Sequence, residues 1–177
     1  MQINKKKLER QQIGVKAWFD ASCKGCLHYF TGVGKTYTAI LIIKRLLRLN
    51  NKESIVIIVP SEELQNQWNT ILQETFNKTQ LNTINVFTSH YIIINNIRIQ
   101  TDTLIIDELH EYYSEEHLKV IDGTYIKFNK NLGLTATYKD SKGRQKYIKN
   151  IYPIIDEIDD VLLAAPKIFR IPLEDLR

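Results

Sequence analysis

Two glycines, a lysine and a threonine lie within the six residues TGVGKT at positions 31–36. Glycines let a backbone approach a ligand closely, so that its N–H groups can point at phosphate oxygens. Lys35 would reach the terminal phosphates of a nucleotide, and Thr36 would offer its hydroxyl to Mg²⁺. The segment therefore predicts a phosphate-binding loop. The candidate nucleotide-binding residues are Thr31, Gly32, Val33, Gly34, Lys35, Thr36 and Tyr37.

Tyr29 stands where this loop pattern usually has its first glycine. Either the backbone needs no glycine at that point, or the tyrosine ring packs beneath the loop. A short apolar run precedes the segment and a helical pattern follows it. These flanks favour a phosphate loop over a chance glycine turn with an exposed lysine.

An acidic pair, Asp107 and Glu108, follows the apolar run TLII at 103–106. In a parallel α/β sheet, ligands bind at the carboxyl ends of the strands, so this pair can face the same nucleotide as Lys35. Asp107 would hold Mg²⁺, usually through water, and Glu108 would orient or deprotonate an attacking water molecule. The alternative is a pair of solvated carboxylates that open a helix and interact favourably with its dipole.

Short apolar runs alternate with helical patterns along the chain. Helical spacing of apolar residues predicts helices over 7–20, 37–49 and 61–76, the last capped by Ser61. Apolar, β-branched runs predict strands at 26–30, 55–59, 84–87, 103–106 and 132–136. This alternation indicates an α/β fold with a mainly parallel central sheet.

The composition is that of one soluble globular domain: 177 residues with a net charge of +4 and 44% hydrophobic residues. No apolar run approaches the roughly 18 residues of a membrane span, and the start MQINKKKLER has no apolar signal core. We therefore expect a cytoplasmic protein, or one in the host cytoplasm if it is viral, with no membrane partner. Cys23 and Cys26 are expected to be small buried or edge residues rather than zinc ligands. Basic residues at 139–149 and acidic residues at 156–160 predict a solvated loop and helix face.

Three segments follow one another along the chain: the phosphate loop TGVGKT, DELH at Asp107–His110 and TAT at Thr135–Thr137. In this order they resemble the motifs of the first RecA-like lobe of superfamily 2 helicases and translocases of the DEAD/DEAH-box type. RQQ at Arg10–Gln12 resembles the upstream glutamine element of that family, and VPSEELQNQW at Val59–Trp68 resembles its motif Ia. The resemblance is strongest to the restriction and repair branch.

The resemblance implies a three-layer RecA-like P-loop NTPase domain at residues 1–166, followed by a linker-like tail at 167–177. It implies ATP and Mg²⁺ as cofactors. It also assigns roles: Lys35, Glu108 and His110 in catalysis; Thr36 and Asp107 as metal ligands; Gln12, or less favourably Gln11, at the adenine; Thr135, Ala136 and Thr137 in coupling; and Pro60, Ser61 and Thr88 at the nucleic-acid backbone. Pro60 and Ser61 are also explained as a strand end and a helix cap.

The implied partners are DNA, with RNA as the alternative, and a second RecA-like lobe. In this family the second lobe carries arginines that stabilise the transferring phosphoryl group, so we expect the first lobe alone to bind ATP and hydrolyse it slowly. Two other functions stay open at this point: a non-catalytic module that binds nucleotide or nucleic acid, and a viral packaging-type ATPase. The histidine of DELH and the TAT segment favour the helicase.

Overall fold

The computed structural model describes residues 2–30, 32–137 and 144–159 of the chain. In chain order the helices and strands are α1 (Gln2–Asp20), β1 (Lys24–Tyr29), α2 (Lys35–Leu49), β2 (Ile55–Val59), α3 (Glu62–Thr75), α4 (Lys78–Leu81), β3 (Ile84–Thr88), α5 (Ser89–Ile94), β4 (Ile99–Ile106), α6 (Glu115–Ile121), β5 (Ile126–Thr135), α7 (Arg144–Ile151) and β6 (Ile154–Ile158). A short 3₁₀ helix covers Leu109–Glu111. The linker-like tail expected at 167–177 lies outside the described residues.

The strands form one six-stranded sheet in the order β3-β2-β4-β5-β1-β6. Every pair of neighbouring strands is parallel, so the carboxyl ends of all the strands lie at one edge, which we call the carboxyl edge. The opposite edge is called the amino edge. β5 lies between β1 and β4. The loop after β1, the acidic pair after β4 and the TAT segment therefore emerge at the same edge.

Helices cover both faces of the sheet. In β2, Ile57 belongs to the core cluster that contains side chains of α1, α2 and α3, whereas Ile58 belongs to the cluster that contains side chains of α5, α6 and α7. Successive side chains of a strand point to opposite faces, so a strand buried on both faces has no polar side. The prediction of a three-layer α/β domain with a parallel sheet is confirmed.

The sequence predictions missed one strand and shortened two others. β6, with the sequence IIDEI, is only partly buried and lies at the edge of the sheet next to β1. Its two carboxylates led us to predict a solvated acidic face instead. β4 begins at Ile99 rather than at residue 103, and β5 begins at Ile126 rather than at residue 132. The first half of β5 was missed because it is amphipathic, with an exposed Lys127 and Asn129. α1 begins at Gln2 rather than at residue 7.

A cluster of four residues, which we call the α1 anchor, holds α1 against the sheet. Tyr29 is completely buried, and its hydroxyl donates a hydrogen bond to Asp156 Oδ2 over 2.7 Å. The Arg10 guanidinium donates to both oxygens of the same carboxylate, over 2.7 and 2.8 Å. A Cβ at Gly14 would overlap the Tyr29 hydroxyl, so α1 can lie this close only with a glycine at that point. The Tyr29 ring therefore packs in the core, with its hydroxyl between α1 and β6.

Two further features concern the described part of the chain. No helix there is long and apolar enough to cross a membrane. Cys26 is buried and Cys23 is half-buried, both as free thiols, and no group of three His, Cys, Asp or Glu side chains in the same residues is arranged to hold a metal ion.

Candidate nucleotide-binding site

The segment between β1 and α2 has a backbone suited to binding an anion. Gly32 has a φ of 90° and Gly34 a φ of 94°, in the left-handed region that favours glycine. Gly34 is the N-cap of α2 and has no side chain with which to cap the first turn. By contrast, the hydroxyl of Ser61 caps α3. The first N–H groups of α2 can therefore donate to phosphate oxygens, and the helix dipole adds to the attraction.

Two side chains of α1 hold the backbone of this loop. Gln11 is 3% exposed and donates from Nε2 to the Val33 carbonyl over 2.7 Å. Lys7 donates from Nζ to the Gly32 carbonyl over 2.7 Å. A Cβ at Gly34 would overlap the Gln11 amide, and the φ of 94° at Gly34 also favours glycine. α1 therefore positions the loop by donating hydrogen bonds to two of its carbonyl groups.

The residue of α1 that contacts the loop is Gln11, whereas Gln12 is exposed. Neighbouring residues of a helix point about 100° apart, so one of the two faces the loop and the other faces away. A cavity of about 350 Å³ lies beside the loop, lined by Lys7, Leu8, Gln11, Gly34 and Tyr37. Of the two glutamines, Gln11 is the one that lines this cavity.

Asp107 lies at the end of β4, is 4% exposed, and has a hydrogen bond on each carboxylate oxygen. Oδ1 accepts from the Glu108 N–H over 3.0 Å, and Oδ2 accepts from Trp68 Nε1 over 3.0 Å. The pKa of Asp107 is raised, chiefly because the carboxyl group is buried, and the negative charge of Glu108 acts in the same direction. The hydrogen bond from the Trp68 N–H and the positive charge of Lys35 act in the opposite direction and lower this pKa. Lys35 of the phosphate loop and Asp107 therefore lie close enough to interact electrostatically.

A chain of polar contacts leads from Glu108 to β5. Glu108 has a φ of 54°, a left-handed conformation that is strained for a residue with a side chain. His110 Nε2 lies 3.3 Å from Glu108 Oε2, and His110 Nδ1 lies 2.7 Å from Thr135 Oγ1. The Thr135 hydroxyl also donates to the Thr137 carbonyl over 2.8 Å, across a half-buried Ala136. The DELH and TAT segments are therefore in direct contact.

The phosphate loop, the acidic pair and the TAT segment lie together at the carboxyl edge. β5 pairs with β1 at His28 and Thr135, one residue before β1 ends, and with β4 at Ile106 and Gly133, where β4 ends. The three strand ends are thus level across three adjacent strands. Parallel α/β sheets bind ligands at such a place.

The donor atoms at this edge fit a magnesium nucleotide. Thr36, which is half-buried at the start of α2, and Asp107 offer hydroxyl and carboxylate oxygens, the ligands that Mg²⁺ prefers. Each oxygen of Asp107 accepts one protein hydrogen bond and has a further lone pair for a metal-bound water. Of the other predicted loop residues, Val33 is buried, Tyr37 is exposed, and Thr31 lies outside the described residues.

The candidate nucleic-acid residues Pro60, Ser61 and Thr88 also lie at the carboxyl edge, after β2 and at the end of β3. Ser61 is exposed and caps α3, as expected from its structural role. Thr88 is nearly buried and caps α5 by accepting from the Tyr91 N–H over 3.1 Å. The turn at Pro60 and Ser61 is therefore more accessible to a ligand than the Thr88 hydroxyl.

Sequence reasoning missed two contacts, Trp68 to Asp107 at this edge and Arg10 to Asp156 in the α1 anchor. Their partners are 39 and 146 residues apart. Trp68 lies four residues after Leu64 and four before Leu72, a spacing that indicates a buried helix face, and a buried indole N–H needs an acceptor. That signal predicts a hydrogen bond but does not name the partner.

The fold and the arrangement of this edge match those of the first RecA-like lobe of superfamily 2 helicases. Residues 4–140 match the family described as type III restriction enzyme, res subunit, and the chain belongs to that family. The resemblance stated from the sequence is thereby confirmed.

Similar proteins are longer than this chain. QP509L, a proposed ATP-dependent RNA helicase of African swine fever virus, is 30% identical over 133 residues, which cover 64% of this chain and 25% of the viral protein. The Hef helicase domain of Pyrococcus furiosus matches with a TM-score of 0.67 at 18% identity, over 86% of this chain and 38% of that chain. The SWI2/SNF2 ATPase core of Sulfolobus solfataricus, solved in complex with dsDNA, matches with a TM-score of 0.63 at 18% identity, over 81% of this chain and 35% of that chain. The two structural matches show the fold, and the chain spans a quarter to two fifths of these three proteins.

Proposed function

We propose that this chain is the ATP- and Mg²⁺-binding first lobe of a superfamily 2 DNA helicase or translocase. It hydrolyses ATP when a second RecA-like lobe and nucleic acid complete the site. The observation that carries the proposal is the meeting of the α2 start, the acidic pair and the His110–Thr135 contact at one edge of the sheet. Membership in a helicase-type ATPase family supports the proposal.

In this proposal the phosphate loop binds the triphosphate. The first N–H groups of α2 and the Lys35 ammonium donate to phosphate oxygens. Thr36 and Asp107 hold Mg²⁺, which supplies Lewis-acid stabilisation of phosphate charge when bound. The base occupies the cavity beside Gln11 and Tyr37.

Glu108 orients the attacking water and accepts its proton. Its carboxylate lies beside the His110 ring, at 3.3 Å, and the ring reaches the Thr135 hydroxyl, so a change at Glu108 displaces the TAT segment. The TAT segment, Thr135, Ala136 and Thr137, thereby couples hydrolysis to nucleic-acid binding. The packed network that contains it switches between two discrete arrangements.

DNA is the proposed nucleic acid. The matching family is named for a restriction enzyme, and the matching SWI2/SNF2 core was solved with dsDNA. Pro60, Ser61 and Thr88 contact the backbone of the nucleic acid, which positions the strand without reading its sequence. The viral relative is named as an RNA helicase, so RNA is the alternative that the experiment must separate.

A second lobe is part of the proposal because the chain covers 25% of the viral relative and 38% of the Hef chain. An arginine supplied to the transferring phosphoryl group raises the rate of hydrolysis by roughly 10³ to 10⁵. Without that arginine the first lobe binds ATP and hydrolyses it slowly.

The proposal is tested by ATP binding and single-turnover hydrolysis, measured with no nucleic acid, with duplex DNA and with RNA of the same sequence. We expect Mg²⁺-dependent binding, slow hydrolysis, and tighter binding of DNA when ATP is present. Glu108→Gln should keep ATP binding and lower the residual hydrolysis by roughly 100-fold, because it removes the general base. A Glu108→Gln variant that hydrolyses ATP at the wild-type rate would contradict the assignment. Nucleotide-dependent binding of RNA but not of DNA would show that RNA, rather than DNA, is the nucleic acid that this chain binds.

A further inference from the structure

Asp107 is held from two sides by the segment that forms the turn at Pro60 and Ser61. On the strand side, the Asp107 N–H donates to the Ile58 carbonyl over 2.9 Å. On the helix side, Trp68 Nε1 donates to Asp107 Oδ2 over 3.0 Å. Ile58 belongs to β2, which precedes the turn, and Trp68 belongs to α3, which follows it. A displacement of the turn would therefore move Asp107 through β2 and through α3, the two elements that flank the turn.

Trp68 is a stiff connection between α3 and Asp107. The residue is 1% exposed and packs in the core cluster shared by α2 and α3. Its indole has a single N–H donor on a rigid ring, so the direction of the hydrogen bond follows the position of the helix. Gln65 of the same helix donates to the Val86 carbonyl of β3 over 2.9 Å, so α3 is also tied to the strand that ends at Thr88. The helix is thus bonded both to the candidate nucleic-acid elements and to the candidate metal ligand.

We infer that Trp68 is a positioning residue that couples nucleic-acid contact at the turn of Pro60 and Ser61 to the metal ligand Asp107. The inference rests on the proposed function of these two places and adds a connection between them. Phosphate contact at the turn fixes the start of α3, and the Trp68 indole then orients Asp107 Oδ2. By linkage, metal held at Asp107 stabilises the turn in its nucleic-acid-binding position by the same free energy. This connection runs through α3 and is separate from the His110–Thr135 contact on β5.

A pair of matched variants isolates the hydrogen bond from the packing. Trp68→Phe removes the N–H and keeps an aromatic ring in the core. Trp18→Phe is the control, because Trp18 is also completely buried and its Nε1 donates to the Asn131 carbonyl over 2.8 Å. Asn131 pairs with Lys24 at the start of β1, away from the carboxyl edge. Each variant loses one buried indole hydrogen bond, and only Trp68→Phe loses a contact with Asp107.

The main readout is the affinity of the chain for a fluorescent, non-hydrolysable ATP analogue, measured in excess Mg²⁺ and in EDTA. The ratio of the two affinities reports the metal site, and the affinity in EDTA reports the phosphate loop. We expect Trp68→Phe to lower the ratio about tenfold, as loss of a group that orients a metal ligand does, with no change in EDTA. Trp18→Phe should keep the wild-type ratio. The gain in duplex DNA affinity on adding the magnesium nucleotide should also be smaller for Trp68→Phe than for Trp18→Phe.

A second measurement uses the unaltered chain, in case Trp68→Phe does not fold. Of the two indole N–H resonances, that of Trp68 should shift when Mg²⁺ is added to the nucleotide complex and again when DNA is added, and that of Trp18 should not. An unchanged Trp68 resonance, an unchanged affinity ratio in Trp68→Phe, or an equal fall in both variants overturns the inference. A wild-type chain that binds no nucleotide defeats the proposed function itself, which is a separate outcome.

Discussion

Gln11 and Gln12 are adjacent and chemically identical, and α1 presents them to different surroundings. Gln11 is buried and donates to the Val33 carbonyl, whereas Gln12 is exposed. The family resemblance favours Gln12, and nothing local in the sequence decides which of two neighbouring residues faces the core. The rotation of α1 about its axis decides it, and that rotation is set by packing.

We predict that Gln11→Ala weakens ATP binding roughly tenfold, because the Val33 carbonyl loses its buried donor and the base loses one wall of its cavity. Gln12→Ala should bind ATP with wild-type affinity. Displacement of a fluorescent ATP analogue from each variant measures the two affinities. A loss at Gln12→Ala with none at Gln11→Ala would reverse the assignment.

At the scale of elements, the α1 anchor explains both an unusual residue before the phosphate loop and a glycine inside a helix. Tyr29 occupies the place of a glycine, and its hydroxyl needs the space that Gly14 leaves. Burial raises the pKa of Tyr29, and so does its hydrogen bond to Asp156, so the phenol stays a donor at neutral pH. Arg10 binds the same carboxylate, so α1, β1 and β6 meet at one charged group.

Alanine at position 14 is expected to destabilise the chain by about 1 to 3 kcal/mol, because the added methyl group forces a buried, hydrogen-bonded tyrosine to move. In an ordinary helix the same change would stabilise by up to about 1 kcal/mol. Tyr29→Phe should be destabilising in the wild-type background and stabilising in the Gly14→Ala background, since it removes the overlapping oxygen. Urea unfolding of the two single variants and the double variant tests this sign reversal. Additive free energies of unfolding would show that the two residues do not interact.

How far the sequence could predict the elements depended on whether each carries its own signal. β2 is buried on both faces, and its five apolar residues are sufficient to predict a strand from the sequence. β6 is partly exposed and contains Asp156 and Glu157, so its sequence looks solvated until Arg10 and Tyr29 are known to lie against it. Likewise, the phosphate loop and the acidic pair are short local patterns that could be recognised. The Trp68–Asp107 contact joins two patterns and needs the fold.

At the scale of the whole molecule, a carboxyl group at each edge of the sheet has its pKa shifted, and the two shifts are in opposite directions. At the amino edge, Asp102 Oδ2 accepts from the Ser54 N–H over 2.9 Å and from its hydroxyl over 3.0 Å, and these bonds hold the pKa of Asp102 below its usual range. Glu53, 3% exposed, is paired with Lys130 over 2.8 Å. At the carboxyl edge, burial raises the pKa of Asp107. The charge of Asp102 therefore stabilises the fold, whereas the charge of Asp107 is kept at a cost, as is common for carboxylates at functional sites.

This contrast predicts different effects of pH on two neutral substitutions. A lowered pKa means that Asp102 stabilises the folded chain above the ordinary value of 3.8 and loses this effect as the pH falls through its folded pKa. A raised pKa means that Asp107 destabilises the metal-free chain at neutral pH, and that the penalty fades as the pH falls toward 3.8. In EDTA at pH 7, Asp102→Asn should therefore lower the free energy of unfolding by roughly 1 kcal/mol. Asp107→Asn loses one of the two hydrogen bonds on this side chain, but its stability relative to the wild-type chain should be higher at pH 7 than at pH 4, because the wild-type penalty fades as the pH falls.

Thermal unfolding of both variants between pH 7 and pH 4 checks the prediction. The stability of Asp107→Asn relative to the wild-type chain should fall over this range, while the deficit of Asp102→Asn persists. A relative stability of Asp107→Asn that does not change with pH would show that the pKa of Asp107 is not raised.

The central claim, that the loop at 31–36 binds the phosphates of ATP, is tested most directly by calorimetric titration of ATP into the wild-type chain and two lysine variants. Lys35→Ala removes the ammonium at the start of α2, and Lys44→Ala removes an exposed ammonium from the same helix, away from the loop. We predict Mg²⁺-dependent ATP binding that Lys35→Ala weakens at least about tenfold and that Lys44→Ala leaves unchanged. Wild-type affinity in Lys35→Ala would contradict the account, because the loop would then not be where the nucleotide binds.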